Sequence, residues 1–159
     1  MGRTISVIVD DILEQPVQVI VVDWRASPLP WWISIPRGTP LLVRREAGAE
    51  PYRELAEQKT IPLGSAALTG PGRLRHYKGI VHAATLNAWG RATEESIRSA
   101  TQSALRIAGD LNFRSVAFSV LGADRGIPER RAYEVLRDTL IEIETTIDVR
   151  IIRSPDRHD

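Results

Sequence analysis

The chain has 159 residues, 43% of them apolar, and its 21 Lys and Arg almost balance its 20 Asp and Glu, for a formal net charge of +1. That length suits one domain able to bury most of its apolar surface. The near-neutral balance, with no face of clustered positive charge, gives no nucleic-acid footprint.

No Cys is present, which removes disulfides, thiolate nucleophiles and zinc–cysteine sites. His76, His82 and His158 lack metal-ligand spacing, so no metal and no cofactor are expected. No apolar run approaches the ~20 residues of a membrane span, and no signal-peptide core opens the chain, so a cytoplasmic location is the expectation. Met1-Gly2-Arg3-Thr4-Ile5-Ser6 fits the pattern for N-myristoylation. It is read as coincidence, because Gly2 runs straight into a strand. Arg supplies nearly all the positive charge, the exceptions being Lys59 and Lys78, a bias that fits either genome composition or heat adaptation.

In chain order, Thr4 to Val9 alternates, with Ile5, Val7 and Val9 on one face and Ile8 on the other, and predicts a strand. Val17 to Val22 is almost continuously β-branched, the pattern of a strand covered on both faces. Trp24 to Pro40 carries Pro28, Pro30, Pro36 and Pro40 beside Trp24, Trp31 and Trp32. It predicts a long, partly extended loop, since proline removes donors and clashes with a preceding helical turn. Helices follow over Leu41 to Glu46 and Pro51 to Gln58, then strands over Gly64 to Thr69 and Gly79 to Thr85.

Thr93 is a good N-cap, with Glu94 and Glu95 at the positive end of the helix dipole. Ile97, Ala100, Ala104, Leu105, Ala108 and Leu111 continue that helix as an apolar stripe. Ser115 to Val120 reads as a strand, Pro128 opens a last helix, and Asp148 to Arg153 is the final strand. The alternation of strands and helices predicts an α/β fold with a mixed sheet covered on both faces. Residues 1–153 are expected to form one domain and 154–159 a polar tail.

The segment with most chemistry is Leu121-Gly122-Ala123-Asp124-Arg125-Gly126-Ile127, between a strand and a helix. Glycines leaving a strand's carboxyl end and feeding a helix start permit close approach, and free N–H groups there attract anions. The same glycines would serve a plain tight turn.

This segment, with Ser115 to Gly122 before it and Gly126-Ile127-Pro128 after it, resembles the second phosphate loop of macro domains, the ADP-ribose-binding family. Gly64 to Gly70 and Gly79 to Ala84 resemble that family's central strand pair, Val17 to Val21 its second strand, and Asp10-Asp11-Ile12 its Gly-Asp-Ile turn. The resemblance covers nearly the whole chain and is strongest from Gly64 to Ile141. It implies a three-layer α/β/α fold with a mixed, mainly parallel sheet. It also implies that Asp11 accepts from the adenine amino group, with Ile12 as a backbone contact. Asp10 and Asp11 read equally well as turn residues.

The departures from the family are informative. The Asn-Ala-Ala-Asn run of hydrolytic members aligns with Val22-Asp23-Trp24-Arg25, and Arg25, a donor only, replaces the last Asn. The first phosphate loop is reduced to Pro36-Arg37-Gly38-Thr39-Pro40-Leu41, in which two prolines lack an N–H. The second loop carries Asp124, which would repel a diphosphate, and Arg125, which would pair with phosphate or neutralise Asp124.

The ligand-binding residues expected from this resemblance are Asp11, Ile12, Gly38, Thr39, Gly122, Ala123, Asp124, Arg125 and Gly126, with Trp24, Arg25, Trp31 and Trp32 lining the pocket. The Trp residues could stack on a base or close the pocket; equally they could plug the crevice or pack an interface. His82, in an apolar strand, reads as a satisfied core residue. The expectation is a divergent, non-catalytic macro domain whose partner is ADP-ribose or a related nucleotide. The alternatives are an ADP-ribose or O-acetyl-ADP-ribose hydrolase, and a non-binding scaffold or homo-oligomerisation domain with a Trp-filled cleft.

Overall fold

A computed structural model describes residues 4–27, 36–58 and 60–155. Six strands and four helices alternate: β1 (Ile5–Val9), β2 (Val19–Arg25), α1 (Thr39–Ala47), α2 (Glu50–Glu57), β3 (Ala66–Thr69), β4 (Gly79–Leu86), α3 (Glu94–Asp110), β5 (Ser115–Ser119), α4 (Glu129–Glu142) and β6 (Asp148–Arg153). They form one six-stranded sheet in the order β1-β6-β5-β2-β4-β3, parallel throughout except for the antiparallel β3–β4 pair. The three strands expected to be central, β2, β4 and β5, are all interior.

The β-branched run of β2 is buried because helices cover both faces of the sheet. Val19 and Val21 pack with Ile97, Ala104, Leu136 and Leu140 of α3 and α4. Ile20 and Val22 pack with Val43 and Ala47 of α1, and with Ile12 and Leu13. The period-two alternation of strand side chains therefore feeds two cores from one strand. Full burial of one such aliphatic side chain stabilises by about 1.5–3 kcal/mol. β1 differs from its expected pattern in consequence. It is an edge strand, so Val7 and Val9 remain exposed while Ile5 and Ile8 pack inward.

Several boundaries move. β2 begins at Val19 and runs on to Arg25, so Trp24 and Arg25 belong to a strand rather than the Pro-rich loop. α1 begins at Thr39 with Pro40 in its first turn, where a missing N–H costs nothing. Pro128 is the N-cap of α4 rather than its first residue. Thr93 caps α3 as expected, and Ser96 returns the bond to the Thr93 N–H, completing a capping box. Trp31 and Trp32 lie outside the described residues.

Candidate functional site

Three adjoining cavities form a groove across the carboxyl ends of the interior parallel strands, where α/β sheets place their ligands. The first, of about 210 Å³, is lined by Asp10, Asp11, Ile12, Leu42 and Ile152, with Thr39 and Ser119 at its border. Thr39 and Ser119 also line the second, of about 220 Å³, together with Arg37, Gly38, Asp124 and Arg125. Asp23, Pro40 and Arg125 lead on into the third, of about 50 Å³, which Trp24, Arg25, Arg44, Tyr52 and His82 enclose.

The first cavity is held by a hydrogen-bonded turn. The Asp11 carboxylate accepts from Leu13 N–H at 2.9 Å and caps a single 3-10 turn over Ile12–Glu14. Behind it the Tyr77 hydroxyl donates to Ile12 O at 2.6 Å and accepts from Gln15 N–H at 2.8 Å. Burial pushes that phenol up to about 12, so it stays a neutral donor at any working pH. Asp11 is thus a turn residue, one of the two roles its sequence suggested, and it lines a cavity.

The loop from Leu121 to Ile127 departs from expectation. Its amides are spent internally. Gly122 N–H donates to Asp23 Oδ1 at 2.9 Å, Ala123 N–H to Val120 O at 3.2 Å, Asp124 N–H to Ile127 O at 2.9 Å, and Arg125 N–H to Gly122 O at 3.1 Å. The free amides expected for a phosphate are therefore absent from residues 122–125. Neither Gly122 nor Gly126 lines a cavity; Gly122 faces Ile97 and Ala92, and Gly126 faces Arg91. Ala123, Asp124 and Arg125 do face the groove. Asp124 also accepts from Glu129 N–H at 3.2 Å, at the start of α4.

Guanidinium groups stand where the amides were expected. Arg125 Nη2 donates to Arg37 O at 2.8 Å, which holds the side chain across the groove. Burial, and then the like charges of Arg37 and Arg25, lower its basicity, with Asp23 opposing. No carboxylate lies within ion-pair distance of Arg25, Arg37 or Arg125 among the described residues. One oxygen of Asp23 is occupied: Thr85 Oγ1 and Gly122 N–H both donate to its Oδ1. Burial raises its pKa, against the lowering effect of those two bonds. Arg44 lies over the Tyr52 ring at 5.6 Å.

His82 forms the floor of the third cavity beneath Trp24 and Tyr52, whose rings meet it edge-on at 5.8 and 5.5 Å. Thr69 Oγ1 donates to Gly70 O at 2.9 Å, so it accepts from His82 Nε2–H at 3.0 Å. That fixes the tautomer and leaves Nδ1 as a buried acceptor with no partner. The expectation of a fully satisfied core histidine is corrected on that atom. Burial lowers the imidazole to about 3. No grouping of His, Asp or Glu fit for a metal occurs among the described residues.

The sequence model of the macro domain family matches residues 40–136, more than half of the chain. The chain belongs to the macro domain family. An uncharacterised protein of Aquifex aeolicus is 34% identical to this macro domain over 109 residues, 67% of this chain and 66% of that protein. An uncharacterised protein of Mycobacterium tuberculosis is 35% identical over 89 residues, 56% of this chain but 24% of that protein. The chain therefore spans less than two thirds of these relatives' own lengths.

Among solved structures, this macro domain resembles the Oceanobacillus iheyensis macrodomain with ADP, with a TM-score of 0.81, 19% identity, and 98% of this chain and 86% of that one covered. It also resembles the macrodomain of Thermus aquaticus DarG, with a TM-score of 0.77, 20% identity, and 95% and 99% covered. At these identities the likeness is one of fold.

Sequence reasoning missed Asp23, Tyr52 and Arg44 as lining residues. Asp23 had a signal, as the one charge at the end of an apolar β-branched run. Tyr52 and Arg44 had none, because only the packing of α1 and α2 against the sheet brings them to the cavity.

Proposed function

We propose that this macro domain binds ADP-ribose or a related adenine nucleotide without hydrolysing it. The observation carrying this reading is the cavity that joins the Asp11 carboxylate, a hydrogen-bond acceptor suited to an exocyclic amine, to apolar Ile12, Leu42 and Ile152, which suit the faces of a base. The adjoining cavity, with Arg37 and Arg125 on its walls, supplies positive charge where a diphosphate would follow.

Asp11, Ile12, Gly38, Thr39, Ala123, Asp124 and Arg125 are the proposed contacts. Gly122 and Gly126 shape the loop behind them. Hydrolysis is disfavoured because Arg25, which can only donate, stands in place of the amide that would orient a water. The Trp-filled scaffold has support at one end only, where Trp24 stacks on Tyr52 at 6.2 Å over the small third cavity.

Calorimetry with AMP and ADP-ribose tests the reading. Both should bind, and Asp11→Ala should weaken both by about ten- to a hundredfold, the loss of one charged hydrogen bond. Arg25→Ala should weaken ADP-ribose less. Equal affinities for wild type and Asp11→Ala would remove the adenine site.

A further inference from the structure

The far end of the groove does not have the character of a site for a neutral sugar. Arg25 and Arg125 line the third cavity, and Arg37 stands beside it in the second. Arg125 is placed by a backbone carbonyl rather than a carboxylate, so its bond to Arg37 O orients the guanidinium without neutralising it. Two acids share these walls: Asp23, whose Oδ1 accepts from Thr85 and the Gly122 amide, lines both cavities, and Asp124 lines the second. Three guanidiniums thus outnumber two carboxylates along these walls, and no carboxylate lies within ion-pair distance of them among the described residues. Such an arrangement costs electrostatic energy until an anion enters it.

The third cavity is walled on its other side by aromatic residues. The stacked pair Trp24 and Tyr52 forms a rigid wall there. The single buried acceptor nearby, His82 Nδ1, is covered by their rings.

We propose that this end of the groove receives a terminal phosphate, held by Arg25, Arg37 and Arg125 side chains, and that the preferred ligand is an adenosine polyphosphate rather than ADP-ribose. The inference rests on the adenine site proposed above. The amides of residues 122–125 are spent, and the guanidinium forks beside them suit a terminal phosphate with its extra charge better than a bridging diphosphate.

Magnesium-free calorimetry with AMP, ADP, ATP, ADP-ribose and inorganic tripolyphosphate tests this. ATP should bind about tenfold or more tighter than ADP-ribose, and affinity should rise from AMP through ADP to ATP. Arg25→Ala should lower the ratio of ATP to ADP-ribose affinity about tenfold, and Arg25→Gln, which keeps the length of the side chain, should do the same if the alanine variant melts early. ADP-ribose binding as tightly as ATP would overturn the inference, as would an unchanged ratio in both variants. AMP binding that depends on Asp11 with no gain from further phosphates would overturn it while leaving the adenine site standing. Tripolyphosphate binding with no gain from adenosine, and no effect of Asp11→Ala, would uphold the phosphate site and remove the adenine site. Failure of every probe to bind would overturn both.

Discussion

The Asp11 carboxylate has two tasks, and they can be separated. Its Oδ1 accepts from Leu13 N–H, so removing it frees a turn amide as well as any ligand contact. Asp11→Ala should cost about 1 kcal/mol of stability, the usual loss of a cap, beside its effect on nucleotide affinity. Asp11→Asn retains an oxygen for the turn and replaces the charged acceptor. It should melt close to wild type yet still bind AMP about tenfold more weakly. If thermal melts show Asp11→Asn as unstable as Asp11→Ala, the carboxylate charge itself is needed for the turn.

His82 makes a prediction about acid stability. Its folded value of about 3 lies below the ordinary 6.5, because burial disfavours the charged ring. Between those values the unfolded chain takes a proton that the folded chain refuses. Stability from this group is therefore complete above about 6.5 and is lost as pH falls toward 3, at up to about 1.4 kcal/mol per pH unit. Asp23 acts in the opposite sense just above 3.8, because its folded pKa is raised and the folded chain binds the proton first. Urea midpoints for wild type and His82→Gln between pH 7 and 4 should diverge, wild type falling more steeply. Parallel curves would mean that His82 is not neutral and buried in solution.

At the scale of elements, the Leu121–Ile127 loop is built to hold the β2 terminus. Gly122 has φ +78°, and a Cβ there would stand 2.6 Å from Ile97 Cδ1 and 3.0 Å from Ala92 Cβ. Gly122→Ala should therefore destabilise by about 1–3 kcal/mol, from backbone strain and overpacking against α3. It should also disturb the Gly122 N–H bond to Asp23. A melting temperature within a degree or so of wild type would show that the loop readily adopts another path.

The glycine spacing of this loop was legible in the sequence; the use of its amides was not. An N–H is free or spent according to which carbonyl the loop folds back upon, and composition does not specify that. Arg125 shows the same division. Its charge is plain from the sequence, but its reach across to Arg37 O, 88 residues away, follows from how α1 and the loop approach each other.

At the scale of the whole molecule, the groove depends on five parallel strands ending at one side of the sheet. Its far end carries guanidiniums, and Arg25 stands where an amide would orient water. Turnover of O-acetyl-ADP-ribose or of mono-ADP-ribosylated protein should be undetectable or very slow. Release of free ADP-ribose at ~1 s⁻¹ or faster would refute the non-catalytic reading. No helix among the described residues is long and apolar enough to cross a membrane.

The sequence by itself determined the layers. The continuous β-branched run of β2 requires cover on both faces, and the apolar stripes of α3 and α4 supply it on one of them, so the α/β/α arrangement follows from local periodicity. It also marked Asp11, Arg25 and Arg125 as candidate residues, which line the cavities of the groove. Only the tertiary structure decided that Val7 and Val9 lie on an exposed edge, that the amides of residues 122–125 are spent, that His82 keeps one orphan acceptor, and that Arg25, Arg44 and Arg125 share the far cavity. These features arise between groups distant along the chain. Their free energies depend on distance and burial, and residue identity fixes neither until the sheet has formed.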